Sequence, residues 1–228
     1  MDSMKITVVI PAYNEERAIS PVIADVQKLY TDIIVVDDGS NDRTAEIAEG
    51  RGVTLLRHSI NRGQGAALET GKLYALAKGA DIIVTFDADG QHDARDIVRM
   101  VAPIVEGKAD VALGSRFLQR EGSVYIPFLR KILLKGVLLH QWIFTGLSLT
   151  DAHCGLRAFN RGAAERITIA QDHMSHASEI LDKVARYKLP FVEIPITVCY
   201  TTYSRMKGQR GFMGSLRVIY DFFIGRFI

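Results

Sequence analysis

Two carboxylates and an amide at alternate positions, Asp87, Asp89 and Gln91, close the apolar run Ile82-Ile83-Val84-Thr85-Phe86. Two acids at i and i+2 repel each other as bare anions, and a hard divalent cation shared with a ligand's phosphates relieves that repulsion. The three residues are therefore a candidate Mg²⁺ or Mn²⁺ site, set against the simpler reading of a solvated junction in which an Asp caps the following turn. A second acid pair, Asp37-Asp38, closes the run Ile33-Ile34-Val35-Val36 and leads into Gly39-Ser40. Alternate side chains on a strand point to opposite faces, so only one of these two can meet a ligand. Glycine loops that grip phosphates have a different pattern: Gly63, Gly65 and Gly71 do not make G-x-G-x-x-G and follow the third strand, and no G-x-x-x-x-G-K-[ST] occurs. Acid-rich strand ends suit a phosphate-bearing donor held through a cation. His173 and His176, at i and i+3, have no third ligand at a recognisable spacing, which disfavours zinc.

These acids must be positioned by buried strands. Short apolar runs that stop at acids read as parallel strands, whose carboxyl ends hold ligands in open α/β sheets. Ile6 to Ile10 is the first run, stopping at Pro11, and the helix after it carries Ile19, Val22, Ile23, Val26, Leu29 and Tyr30 on one face. Asn41 to Thr44 offers caps for a helix running through Ala48, and Val53 to Leu56 is a third strand. Asn61-Arg62-Gly63-Gln64-Gly65 opens a helix that runs through Leu68, Leu73 and Leu76 to Gly79, which suits the left-handed position beyond a helix end. Four such alternations predict an α/β fold, a mostly parallel central sheet with helices on both faces. The 228 residues, 48% hydrophobic and 24% charged, suffice for one large domain over 1–203 with an appended tail over 204–228. A net charge of +2 gives no reason to expect nucleic acid. Cys154 and Cys199 form neither a disulfide framework nor a metal spacing, and Met1-Asp2-Ser3-Met4-Lys5 runs into a strand without a signal-peptide pattern, so a cytoplasmic chain is expected.

Five motifs stand in order: Pro11-Ala12-Tyr13-Asn14-Glu15, Val36-Asp37-Asp38-Gly39-Ser40, Asp87-Ala88-Asp89-Gly90-Gln91, Gly114-Ser115-Arg116 and Asp151-Ala152-His153-Cys154-Gly155-Leu156-Arg157-Ala158-Phe159. Together they resemble family 2 glycosyltransferases of GT-A fold, the nucleotide-diphospho-sugar transferase fold, in the branch of the dolichyl-phosphate mannose synthases. The resemblance implies that Pro11, Tyr13, Glu15, Val36 and Asp38 contact the donor's base and ribose, with Asp38 accepting from a ring N–H. It implies that Asp89 and Gln91 hold the metal with Asp87 beside it, that Asp87 and Ala88 also contact the donor, and that Arg116 faces the diphosphate or an acceptor phosphate. The implied reaction is inverting transfer of a sugar from a UDP- or GDP-sugar to a polyprenyl or dolichyl phosphate or another membrane-associated glycan acceptor. A phosphate acceptor is already an anion, whereas a saccharide hydroxyl needs a base, for which Asp151 is the nominee. Glu179 matches the helix position that follows the family's acceptor loop.

Two stretches exceed what a nucleotide-binding fold needs. Residues 124–149 are rich in Ile, Leu, Phe and Trp but interrupted by Arg130, Lys131, Lys135, His140 and Gln141, too broken to span a bilayer. Residues 211–228 carry Phe212, Leu216, Ile219, Phe222, Phe223 and Phe227 with Arg217 and Arg226 among them. Both suit a membrane surface, giving a peripheral protein on the cytoplasmic face, while packing against a homodimer mate or a small membrane-protein partner is the competing reading. Two other classes are weighed. A dehalogenase-type phosphatase would place its D-x-D on the first strand, where Pro11 stands here; a non-catalytic scaffold subunit would have no use for intact Asp87, Asp89, Arg116 and Asp151.

Overall fold

The computed structural model describes residues 4–118, 136, 138, 141–152, 154–172 and 175–199. The elements run β1 (Ile6–Ala12), α1 (Ile19–Gln27), β2 (Ile33–Asp37), α2 (Thr44–Glu49), β3 (Thr54–Arg57), α3 (Gln64–Ala77), β4 (Ile82–Thr85), α4 (Asp96–Val105), β5 (Val111–Ser115), β6 (Arg157–Asn160), α5 (Arg161–Arg166), α6 (His176–Arg186) and β7 (Phe191–Pro195). They form a seven-stranded sheet ordered β3-β2-β1-β4-β6-β5-β7. All neighbours pair in parallel except those of β6, which is antiparallel to both β4 and β5.

Alternation along each strand splits the apolar side chains between two cores. Val8, Ile10, Ile33, Val35, Ile82 and Val84 face α1 and α4, which supply Ile19, Ile23, Val26, Ile97 and Met100. Val9, Ile34, Val36, Ile83, Val111 and Phe159 face α3, α5 and α6, which supply Leu68, Ala75, Ala164, Ile180 and Val184. Each buried Val or Ile contributes about 1.5–3 kcal/mol, so strands covered on both faces hold their ends firmly in place. Helix α3 lies close because small residues face the sheet: a Cβ on Gly71 would fall 2.3 Å from Val9 Cγ1. Leu29 departs from its expected place on the buried face of α1. The helix ends at Gln27, and Leu29 N–H turns back to Val26 O at 3.0 Å, which swings its side chain outward to 45% exposure.

Reversal of β6 decides what reaches the ligand edge. Its first residue, Arg157, pairs with Thr85 at the carboxyl end of β4. The segment before it, from Asp151, therefore lies along the same edge as the carboxyl ends of β1, β2, β4 and β5. No described helix is long and apolar enough to cross a membrane. Residues 124–135, the tail over 204–228, His153 and His173 lie outside the described residues.

Candidate active site

The loops after β1 and β2 are tied into one wall. Asn14 N–H donates to Ser40 Oγ at 2.9 Å, Asn41 N–H to Asn14 Oδ1 at 2.9 Å, and Glu15 N–H to Thr44 Oγ1 at 2.8 Å. Tyr13, 40% exposed, and buried Glu15 are thereby held in the loop tied to the Asp37-Asp38 turn. Pro11 and Val36 are neighbours in adjacent strands, and Val36 packs its side chain into the core beneath α3. Asp38 has a structural task the sequence did not announce. Its carboxylate meets His58 Nδ1 at 2.6 Å and accepts from Arg62 N–H at 3.0 Å and Gly63 N–H at 2.7 Å. With about four acceptor positions on a carboxylate, little capacity remains for a base N–H. Gly39 permits the arrangement, since at its φ of 71° a Cβ would lie 2.7 Å from the Ile60 carbonyl carbon. Asp37 is also buried, yet its Oδ2 has no hydrogen-bond donor among the described residues and only Arg57 Nε at 3.5 Å.

The second wall follows β4. Asp87 Oδ1 accepts from Gln64 Nε2 at 2.9 Å, at the first residue of α3, and Oδ2 lies 3.1 Å from His92 Nε2. The loop before β6 passes directly over this carboxylate: a Cβ on Gly155 would sit 2.1 Å from Asp87 Oδ2. Burial alone would raise the Asp87 carboxyl, but the His92 hydrogen bond and the charges of His92, His176 and Arg157 outweigh it and hold the group below its ordinary value. His92 moves the opposite way: despite burial, Asp87 and the Asp89 charge keep its imidazole pKa raised. Asp89 is pushed up by burial and by the charge of Asp87, with Glu15 adding to it, against the hydrogen bond it accepts from Gln91 N–H at 3.0 Å. Ala88 is buried between the two acids.

This donor set fits a small hard cation. Two carboxylates crowd each other electrostatically, and Mg²⁺-type sites use one or two carboxylates with substrate phosphates completing the shell. Among the described residues no group of three His, Cys, Asp or Glu could hold a metal without such help. Gln91 lies next to the pair, its carbonyl accepting from Cys199 N–H at 2.8 Å.

The third wall stands at the end of β5. Arg116 donates from Nε to Asp151 Oδ2 at 2.6 Å and from Nη2 to Oδ1 at 2.8 Å, a two-pronged ion pair. The Asp151 side chain is 1% exposed and that of Arg116 22%. Asp151, the nominated base, is thus buried with both carboxylate oxygens in the ion pair with Arg116. Behind the site Arg157 is buried and donates to Ala152 O and Ala177 O, both at 3.4 Å, while burial lowers its pKa. Cys154 is packing: burial, then the Asp151 charge, push its thiol up to about 12. Glu179 accepts from Ala170 and Gln171 N–H and pairs with Lys183 at 2.7 Å.

Acid-bearing ends of parallel strands, an acid pair and an arginine fork thus share one edge. Residues 7–168 match the model of the family described as Glycosyl transferase family 2. The chain belongs to that family. It is a glycosyltransferase, similar at 34% identity to the UDP-N-acetylglucosamine–dolichyl-phosphate N-acetylglucosaminyltransferase of Methanococcus voltae, over 92% of this chain and 91% of that one. It is 28% identical to the undecaprenyl-phosphate mannosyltransferase of Micrococcus luteus, over 92% and 90% of the two chains. The fold matches glucosyl-3-phosphoglycerate synthase from Mycobacterium tuberculosis, solved with Mn²⁺, UDP-glucose and phosphoglyceric acid, at a TM-score of 0.68 and 21% identity, covering 90% of this chain and 75% of that one. In this glycosyltransferase the partners of Asp87 are the least legible in the sequence. Gln64 stands at a helix start and His92 directly after Gln91, whereas His176 comes from α6, over eighty residues away in sequence.

Proposed function

We propose that this glycosyltransferase moves a sugar, with inversion, from a nucleoside-diphosphate sugar to a polyprenyl phosphate. The observation that carries the choice of acceptor is the Arg116–Asp151 pair. A hydroxyl acceptor needs a general base, and the carboxylate best placed by sequence for that work is buried and gripped on both oxygens by a guanidinium. A phosphate acceptor is an anion already and needs none. The names of the dolichyl-phosphate and undecaprenyl-phosphate relatives support the same class.

In this reading the base and ribose rest against Tyr13, Glu15 and the 36–38 turn, with backbone edges of Pro11 and Val36 beneath them. Asp37 is the carboxylate with an acceptor to spare, and Asp38 acts on the pocket by fixing the 58–63 loop. Asp89, with Asp87 and Gln91, would hold Mg²⁺ or Mn²⁺, which when bound supplies Lewis-acid neutralisation of the diphosphate. Gln64 and His92 keep Asp87 ionised and oriented. Arg116, aimed by Asp151, adds a fixed positive charge where negative charge gathers on the phosphates. The acceptor's lipid would place the protein at the cytoplasmic face of a membrane, and the consecutive exposed side chains Trp142, Ile143 and Phe144 suit that surface.

The test is a screen of UDP- and GDP-sugars for Mn²⁺-dependent thermal stabilisation, since a ligand bound only by the folded state raises its stability. The best donor is then offered undecaprenyl phosphate, dolichyl phosphate and free saccharides. Sugar appearing on the lipid phosphates is expected; transfer to saccharide hydroxyls alone overturns the acceptor assignment.

A further inference from the structure

Glu193 on β7 lies outside the site just described, yet its carboxylate is spent almost wholly on one turn of it. Oε1 and Oε2 each accept from Thr150 N–H at 2.9 Å, and Oε1 also accepts from Thr150 Oγ1 at 2.9 Å and from Asp151 N–H at 3.2 Å. Thr150 Oγ1 in turn lies 2.6 Å from Ser115 Oγ, and Phe117 N–H reaches the same Ser115 oxygen at 3.3 Å. Residues on either side of Arg116 are therefore tied to the 150–151 turn. Strand pairing makes this reach possible: β5 and β7 run parallel with Leu113 opposite Glu193 and Ser115 opposite Pro195, so the three side chains Leu113, Ser115 and Glu193 share one face.

We propose that Glu193 is a positioning residue for the transfer: it fixes the turn that carries Asp151, and Asp151 aims the Arg116 guanidinium. Charge-assisted bonds to backbone N–H groups are stronger than neutral ones, and here they converge on the residue whose side chain holds Arg116. A chain of three fixed contacts, from sheet to turn to carboxylate to guanidinium, removes freedom that the flexible arginine would otherwise lose during the reaction. The inference rests on the reading that Arg116 serves the phosphates.

The experiment follows the Arg116 Nε–H resonance in ¹⁵N-labelled full-length protein, beside turnover with undecaprenyl phosphate and whichever UDP- or GDP-sugar gives the largest Mn²⁺-dependent thermal shift. Glu193→Gln keeps the side-chain shape but turns an N–H group toward the Thr150 N–H. The Arg116 signal is expected to be sharp and slow to exchange in the natural protein and to broaden or exchange at least ten-fold faster in Glu193→Gln. kcat should fall about ten-fold with the donor KM within two-fold. Thr150→Ala, which removes only the hydroxyl link, should move both readouts the same way by less, and it replaces Glu193→Gln if that variant does not fold. An unmoved Arg116 signal in both variants overturns the inference. A moved signal with unchanged kcat also overturns it, because the turn would then hold Arg116 without serving the transfer, while the reading that Arg116 serves the phosphates is judged separately, by loss of lipid-phosphate turnover in Arg116→Lys.

Discussion

At the scale of single residues, Asp87 and Asp89 are unequal partners. Asp87 is stabilised as an anion by Gln64 and His92, whereas Asp89 bears the repulsion, its carboxyl raised by burial and by its neighbour's charge. Removing Asp89 therefore relieves a repulsion in the fold while removing a residue proposed to hold the metal. Asp89→Ala is expected to melt within about 1 kcal/mol of the natural protein, as substitutions outside packed networks do. It should lose the Mn²⁺-dependent shift given by nucleotide, and tight metal-dependent binding by the mutant would defeat the assignment. The adjacent acid pair divides differently. Asp38→Ala strips acceptors from two backbone N–H groups and His58, which at the strength of bonds to a charged group costs about 3 kcal/mol. In a chain of this size that lowers Tm by about 6–12 °C, whereas Asp37→Asn should melt near the natural protein and weaken the donor. Equal melting of the two variants would show that Asp38 does not clamp the loop. Alternation along β2 makes it legible that the two acids differ. Which one is committed to the loop is not legible, because the 58–63 segment that occupies Asp38 folds back from beyond a whole helix and strand.

Elements with a plain period are readable from the chain: β4 is β-branched throughout, β1 and β2 are so over residues 6–10 and 33–36 before running on through Pro11-Ala12 and Asp37, and α1 repeats its apolar residues every three or four positions. The strand β6 is not, since Arg157-Ala158-Phe159-Asn160 is short, half polar and without alternation, and it becomes a strand only because β4 and β5 leave a place between them. Its reversed direction is nevertheless what carries the Asp151–Arg157 motif to the ligand edge, so the motif is legible and its geometry is not. Gly155 marks the contact between that loop and β4. The Gly155→Ala methyl would overlap the Asp87 carboxylate, so the loop or the acid must move. Donor affinity in the presence of Mn²⁺ should fall at least ten-fold, measured by calorimetry. Gly50→Ala is the control, because its added carbon meets its nearest neighbour at an ordinary 3.5 Å and should leave affinity unchanged. If both variants bind donor like the natural protein, the overlap is absorbed without disturbing the site.

For the whole molecule, the question is what covers its apolar sequence beyond the two cores. Residues 211–228 combine large apolar side chains with Arg217 and Arg226, and Arg205, Lys207 and Arg210 precede them. Half of that apolar area, removed from water at about 25 cal/mol per Å², contributes several kcal/mol. An anionic bilayer offers both the apolar layer and the counter-charge, at about 1 kcal/mol for each basic residue near the surface. Trp142, Ile143 and Phe144 are 55%, 62% and 54% exposed and would supply a second contact of the same kind. Trp142 is also the only tryptophan in the chain, so its emission reports on this segment alone. The full chain is expected to co-sediment with vesicles containing anionic lipid, to release at high salt, and to shift its tryptophan emission to the blue on binding. A chain truncated after Gln209 should bind vesicles more weakly and still be stabilised by donor nucleotide. A salt-insensitive dimer that ignores vesicles and is lost on truncation would instead make the tail a subunit interface. A blue shift that survives truncation would place the 142–144 segment in the lipid by itself, with the basic tail adding only the electrostatic part of the attraction.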